Sequence, residues 1–216
     1  MQQVSGHYTA IPGTWAFDGR TTNGKWWMAS SRFAEAMRKR DLAPVFDDPF
    51  VWSTDVNGVG IAAWFGGTSS YNDWEAGAQA LAYYLRDVPY TSRNIIAHSH
   101  GGQIALMAAR NGVMIRNLLT IATPVRKDMQ DTYDKARPNI GRWTHVHSDW
   151  SDWMQILGGV FDGSLGMRRK MPLADYNIQL PKVGHSSIIE QPEQHSDHWD
   201  MLVAYVKDED SVAYVQ

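Results

Sequence analysis

Ala97-His98-Ser99-His100-Gly101 stands between a short apolar run, Asn94-Ile95-Ile96-Ala97, and a small-residue stretch, Gly102-Gln103-Ile104-Ala105-Leu106-Met107-Ala108-Ala109. The first run reads as a strand and the second as a helix, with a serine at the apex of the tight turn between them. So sharp a strand-to-helix turn forces its apex residue into a strained backbone and projects the hydroxyl off the sheet edge. The residues two before and two after the apex must be small, because strand and helix pass close together there. Ala97 and Gly101 meet that condition, and Gly102 follows. Three ordinary residues are a weak pattern alone. The strand, turn and helix around them give it weight.

Working outward, the same alternation recurs along the chain. Tyr8 to Ile11 reads as a strand ended by Pro12-Gly13. Trp26 to Arg40 reads as a helix, with Trp26, Phe33, Ala34 and Met37 on one face. Leu42 to Phe46 is a further strand, interrupted by Pro44 and therefore short or at an edge. Residues 47–72 are irregular and carry Phe50, Trp52, Trp64, Phe65 and Tyr71. So long a loop implies either a binding segment or an element folded onto the core. Asp73 suits the N-cap of a helix whose buried stripe is Trp74, Ala78, Leu81, Ala82 and Leu85. The helix after the serine closes at Asn111-Gly112. Strands are expected at Ile115–Ile121, Arg142–His147 and Ala174–Leu180, with a polar helix or loop between Pro124 and Arg137. Trp153 to Leu157 reads as a short helix, Gly158 to Met171 as a glycine-spaced flap, and Trp199, Leu202, Val203 and Val206 as a final helix. Residues 207–216 are expected to be loosely held. Strands alternating with helices predict the α/β class: one domain over residues 1–216, with a mostly parallel sheet of about six strands covered on both faces.

Bulk composition narrows the functional classes. The 216 residues are 44% hydrophobic and 20% charged, as in an ordinary globular domain. A net charge of −3 gives no basic footprint for nucleic acid. The runs Arg38-Lys39-Arg40 and Arg168-Arg169-Lys170 read as solvated helix ends or loops. Without cysteine there is no disulfide, no thiolate metal ligand and no thiol nucleophile. No apolar stretch approaches a membrane span. The N-terminus has neither the basic nor the apolar region of a signal peptide, which leaves the cytoplasm as the default expectation. Of the ten tryptophans some must be core, and so many large amphipathic rings also suit an apolar binding surface.

A serine hydroxyl is a poor nucleophile without a base to take its proton and an acid to orient that base. After the strand ending at His147 come two aspartates, Asp149 and Asp152. After the last strand comes a glycine-flanked histidine, His185, in Pro181-Lys182-Val183-Gly184-His185-Ser186. Serine, acid and histidine thus arrive in the order that an α/β sheet with a serine elbow requires.

The elbow resembles the G-x-S-x-G nucleophile elbow of the α/β-hydrolases, with Ala97 in the first glycine's place. Other segments resemble the same superfamily, in its small lipase-like and cutinase-like esterases with a minimal cap. The run carrying Asp152, Gln155 and Gly158 looks like their acid-bearing turn, which favours Asp152 over Asp149. Leu119-Thr120-Ile121-Ala122-Thr123-Pro124 is similar to the strand and Thr-Pro segment after the elbow. Pro12-Gly13-Thr14 resembles the His-Gly-x turn of lipases. The resemblance implies a single-domain α/β-hydrolase fold and a carboxylic-ester hydrolase with the triad Ser99, Asp152 and His185. It implies an oxyanion hole from the backbone N–H groups of His100 and Thr14. Trp15, Phe17, Trp52, Trp64 and Phe65 are candidates for an acyl pocket, and the side chains of His98 and His100 for the cleft mouth. The partner is then a small-molecule or lipid-like ester, with no cofactor. Thioesters and amides share the same tetrahedral intermediate, and a non-catalytic binder on the same fold is the second class. A metal reading has only the pairs His98/His100, His145/His147 and His195/His198, and no His-Glu-x-x-His motif. Oligomeric state has no sequence signal.

Overall fold

The structure is a computed structural model that describes residues 8–13, 26–28, 30–40, 42, 68–148 and 170–207. Within them lie five strands: β1 (Tyr8–Ile11), β2 (Asn94–His98), β3 (Ile115–Ile121), β4 (Ile140–Ser148) and β5 (Tyr176–Leu180). They form one sheet in the order β1-β2-β3-β4-β5, every neighbouring pair parallel. Of the additional strand expected at Leu42–Phe46, only Leu42 is described; it is buried, and residues 43–46 lie outside the described residues.

Parallel strands need helical crossovers, and these cover both faces of the sheet. Six helices are described: α1 (Arg32–Arg38), α2 (Thr68–Leu85), α3 (His100–Arg110), α4 (Gln130–Ala136), α5 (Ser187–Glu190) and α6 (Ser196–Lys207). Alternation along each strand divides the core. Ile95, Ala97, Leu118 and Trp143 meet α2, α3 and α4 through Leu81, Leu85, Ile104, Ala108 and Tyr133. Ile96, Leu119, Ile121 and Val146 face the opposite way, toward Phe33 and Met37 of α1, Ile188 of α5, and Trp199 and Leu202 of α6.

Two helices begin elsewhere than the periodicity predicts. Trp26 and Trp27 stand in a turn, and α1 starts at Arg32 because Ser31 caps it, accepting from the Ala34 N–H at 3.0 Å while donating to the Trp26 carbonyl at 2.6 Å. Trp26 still reaches the expected core, edge-on to Phe33 at 5.2 Å. Helix α2 begins at Thr68, so Asp73 lies within it rather than at its N-cap. Thr68-Ser69-Ser70 and Asn72 are residues that favour caps and turns, which hides a helix start from a propensity reading.

Candidate active site

Strand register brings the chemistry to one edge. Ile11 pairs with Ala97, His98 with Ile121, Ile121 with Val146, and Ser148 with Leu180. The strands therefore end nearly in line, and the segments that leave them gather at their carboxyl ends, where ligands bind in open α/β sheets.

Ser99 lies at the apex between β2 and α3 with φ 53° and ψ −130°. Positive φ in a residue with a side chain costs about 1–3 kcal/mol and persists only where neighbours enforce it. Here the Ser99 N–H is tied to the Ile121 carbonyl at 2.9 Å, and the Ser99 carbonyl accepts from the Gly102 N–H at 3.0 Å. The glycines allow the close approaches this turn demands. A Cβ on Gly101 would lie 2.5 Å from the Ile11 carbonyl oxygen, and one on Gly102 would lie 2.1 Å from Thr123 Oγ1. Ala97 is fully buried in the strand. A methyl fits there, so the missing first glycine leaves the elbow intact.

The segment after β1 lies directly on the serine. A Cβ on Gly13 would stand 2.7 Å from Ser99 Cβ and 3.3 Å from Ser99 Oγ. Thr14, the residue expected to offer an oxyanion N–H, lies outside the described residues. So do Asp149, Asp152, the aromatic candidates Trp15, Phe17, Trp52, Trp64 and Phe65, and residues 158–169 of the expected flap.

His185 comes to the serine from β5. Its Nε2 lies 3.1 Å from Ser99 Oγ, so residues 86 apart in sequence share a hydrogen bond. The segment that carries it contains Lys182 at φ 58°. Two groups, at the ends of β4 and β2, hold this segment. The Ser148 hydroxyl donates to the Val183 carbonyl, and His98 Nε2 lies 3.0 Å from the His185 carbonyl oxygen. Glu190 at the end of α5 is half-buried; burial raises its carboxyl and the charge of His185 acts the other way.

The side chains of His98 and His100 do not line a cleft mouth. Both are buried, on opposite sides of the turn. His98 makes a T-shaped contact with Trp26 at 6.2 Å, while His100 lies against Trp74 at 5.2 Å. Burial, then the positive charges of Arg126 and His185, push the His100 imidazole down to about 3, so it is neutral near pH 7. Arg126 lies over the Trp74 ring at 5.6 Å and forms a fork with Asp128 at 3.0 and 2.7 Å. Its backbone N–H donates to Tyr133 Oη at 3.0 Å. His98 and His100 thus diverge and cannot share an ion. His145 and His147 do share a strand face, stacked at 5.8 Å, with His145 Nδ1 2.9 Å from Thr120 Oγ1. Among the described residues no three His, Asp or Glu side chains gather as a metal site would need.

No family model matches the sequence, and no curated protein matches it. Solved structures do. A predicted CIB-like hydrolase from Thermoplasma acidophilum aligns over 94% of this chain and 88% of its own, with TM-score 0.51 and 13% identity. The fold is that of the α/β-hydrolases. MenH from S. aureus aligns over 94% of each chain with TM-score 0.49 and 10% identity. An esterase from the archaeon Pyrobaculum calidifontis aligns over 62% of this chain and 58% of its own, with TM-score 0.36 and 13% identity. Within the α/β-hydrolase fold, the parallel sheet, the serine after β2 and the histidine after β5 keep the order read from the sequence. The sequence reading missed the attachment of His98 to the His185 segment. Only its place next to the elbow serine hinted at a role.

Proposed function

We propose that this chain is a serine hydrolase that cleaves carboxylic esters through an acyl-enzyme on Ser99. The observation that carries the reading is the 3.1 Å contact between Ser99 Oγ and His185 Nε2 at a strained strand-to-helix elbow. In this reading His185 takes the hydroxyl proton as Ser99 attacks the ester carbonyl, then delivers it to the departing alcohol. Water, activated in turn by His185, releases the acid and restores the serine. Taking the proton on Nε2 requires His185 to carry its other proton on Nδ1, which an acidic partner must hold. Asp152 is assigned that task. In support, Asp149 and Asp152 follow β4 in sequence, and the last residue of that strand, Ser148, donates its hydroxyl to the Val183 carbonyl, two residues before His185. The oxyanion is assigned to the N–H groups of His100, which opens α3, and of Thr14, which follows Gly13. Trp15, Phe17, Trp52, Trp64 and Phe65 are assigned to the acyl side.

A p-nitrophenyl ester series tests the reading. Ser99→Ala and His185→Ala are expected to lower kcat/KM by about 10³-fold or more. Asp152→Asn is expected to follow them and Asp149→Asn to stay near wild type; the reverse moves the acid to Asp149. Labelling of Ser99 by a fluorophosphonate separates an enzyme from a binder. If folded wild-type protein neither labels nor hydrolyses any ester, thioester or amide, the hydrolase reading fails.

A further inference from the structure

Under the hydrolase reading, the base must hold its Nε2 on the serine, yet His185 sits in a segment with little regular structure, between β5 and the one-turn helix α5. Lys182, three residues earlier, occupies positive φ, a conformation that surrounding contacts must maintain. Two anchors are visible. One is Ser148 to the Val183 carbonyl, before the histidine; the other is His98 to the carbonyl of His185 itself. We propose that His98 is a positioning residue for the reaction: its Nε2–H donates to the His185 carbonyl and so fixes where the base imidazole meets Ser99.

The chemistry of the contact sets the direction. A carbonyl oxygen only accepts, so the 3.0 Å contact places a proton on His98 Nε2. Geometry makes the tether stiff. His98 is the last residue of β2, paired in register with Ile121, and its ring is buried in a T-shaped contact with Trp26. Its ring centroid is 5.0 Å from that of His185. The next residue is Ser99. One strand end therefore carries the nucleophile and also holds the base, so a shift of β2 moves both together. A Ser–His pair is sensitive to displacements of about 1 Å, which can cost on the order of 10²-fold in rate.

His98→Gln and His98→Met test this, since the two side chains are close in length and only glutamine retains an N–H donor. The expected result is kcat within threefold of wild type for His98→Gln and at least tenfold lower for His98→Met, with KM within twofold in both. In a His185→Ala background the two variants are expected to be indistinguishable, because the tether then has no imidazole to position. Equal losses in both variants would indicate packing alone and overturn the proposal, as would wild-type activity in both. Should His98→Met fail to fold, imidazole ¹⁵N spectra of the wild type decide: a neutral ring bearing its proton on Nδ1, with Nε2 bare, overturns the tether. If Ser99→Ala and His185→Ala keep full activity, the hydrolase reading falls and this inference with it. If those two lose activity while His98→Met does not, only this inference falls.

Discussion

At the scale of single residues, space decides as much as charge. Gly13 is needed because a side chain there would collide with Ser99 Cβ at 2.7 Å, with the His98 carbonyl oxygen only 3.2 Å away. Gly13→Ala must push the elbow serine or the β1 segment aside. We expect kcat/KM for p-nitrophenyl acetate to fall at least tenfold, and fluorophosphonate labelling to slow in proportion. Wild-type rates would show that the segment yields freely. The importance of Gly101 and Gly102 was readable from the elbow pattern. Gly13 was readable only through the resemblance of Pro12-Gly13-Thr14 to a lipase turn; its contact itself was not, because its neighbour across the sheet is Ser99, 86 positions later in the chain.

At the scale of elements, helix ends carry joints that composition conceals. Arg40, in the turn after α1, stands in a run that reads as a solvated helix end, yet its side chain is only 14% exposed. It donates to Asp200 at 2.6 Å, to the Ser196 hydroxyl and carbonyl at 2.7 and 3.0 Å, and to the Ala36 carbonyl at 3.0 Å. These contacts bind the end of α1 to the start of α6, beside the packing of Phe33 on Trp199 at 5.0 Å. A planar five-donor fork can serve several acceptors together, and lysine cannot replace it. Arg40→Ala is expected to cost about 2 kcal/mol, and Arg40→Lys most of that, lowering Tm by roughly 4–8 °C in a domain of this size. A thermal melt of each variant checks this; an unchanged Tm would mean that water replaces the fork without loss. Periodicity located α3 and α6 well, since their apolar stripes are long. It placed the starts of α1 and α2 poorly, because Ser31 sets one by a local cap and the Ser/Thr-rich opening of the other does not look helical.

At the scale of the whole molecule, the buried polar groups beside the sheet make stability sensitive to acid. His100 titrates near 6.5 when unfolded and is pushed down to about 3 when folded. Between those values the unfolded chain binds more protons, so this residue's contribution favours folding fully above pH 6.5 and is lost as pH falls toward 3. The expected loss approaches about 1.4 kcal/mol per pH unit inside that window. Urea unfolding at stepped pH should show it, and His100→Gln should flatten the profile there; parallel profiles would place the acid sensitivity elsewhere. The sequence by itself determined the α/β alternation, the elbow and the order in which serine and histidine leave the sheet. Each is encoded locally, in apolar period, small residues at a tight turn and loop position after a strand. Only the tertiary structure decided that His185 reaches Ser99, that Gly13 lies on the serine and that His98 contacts the His185 carbonyl. Those contacts join strand ends far apart in sequence, and parallel register alone brings them to one edge.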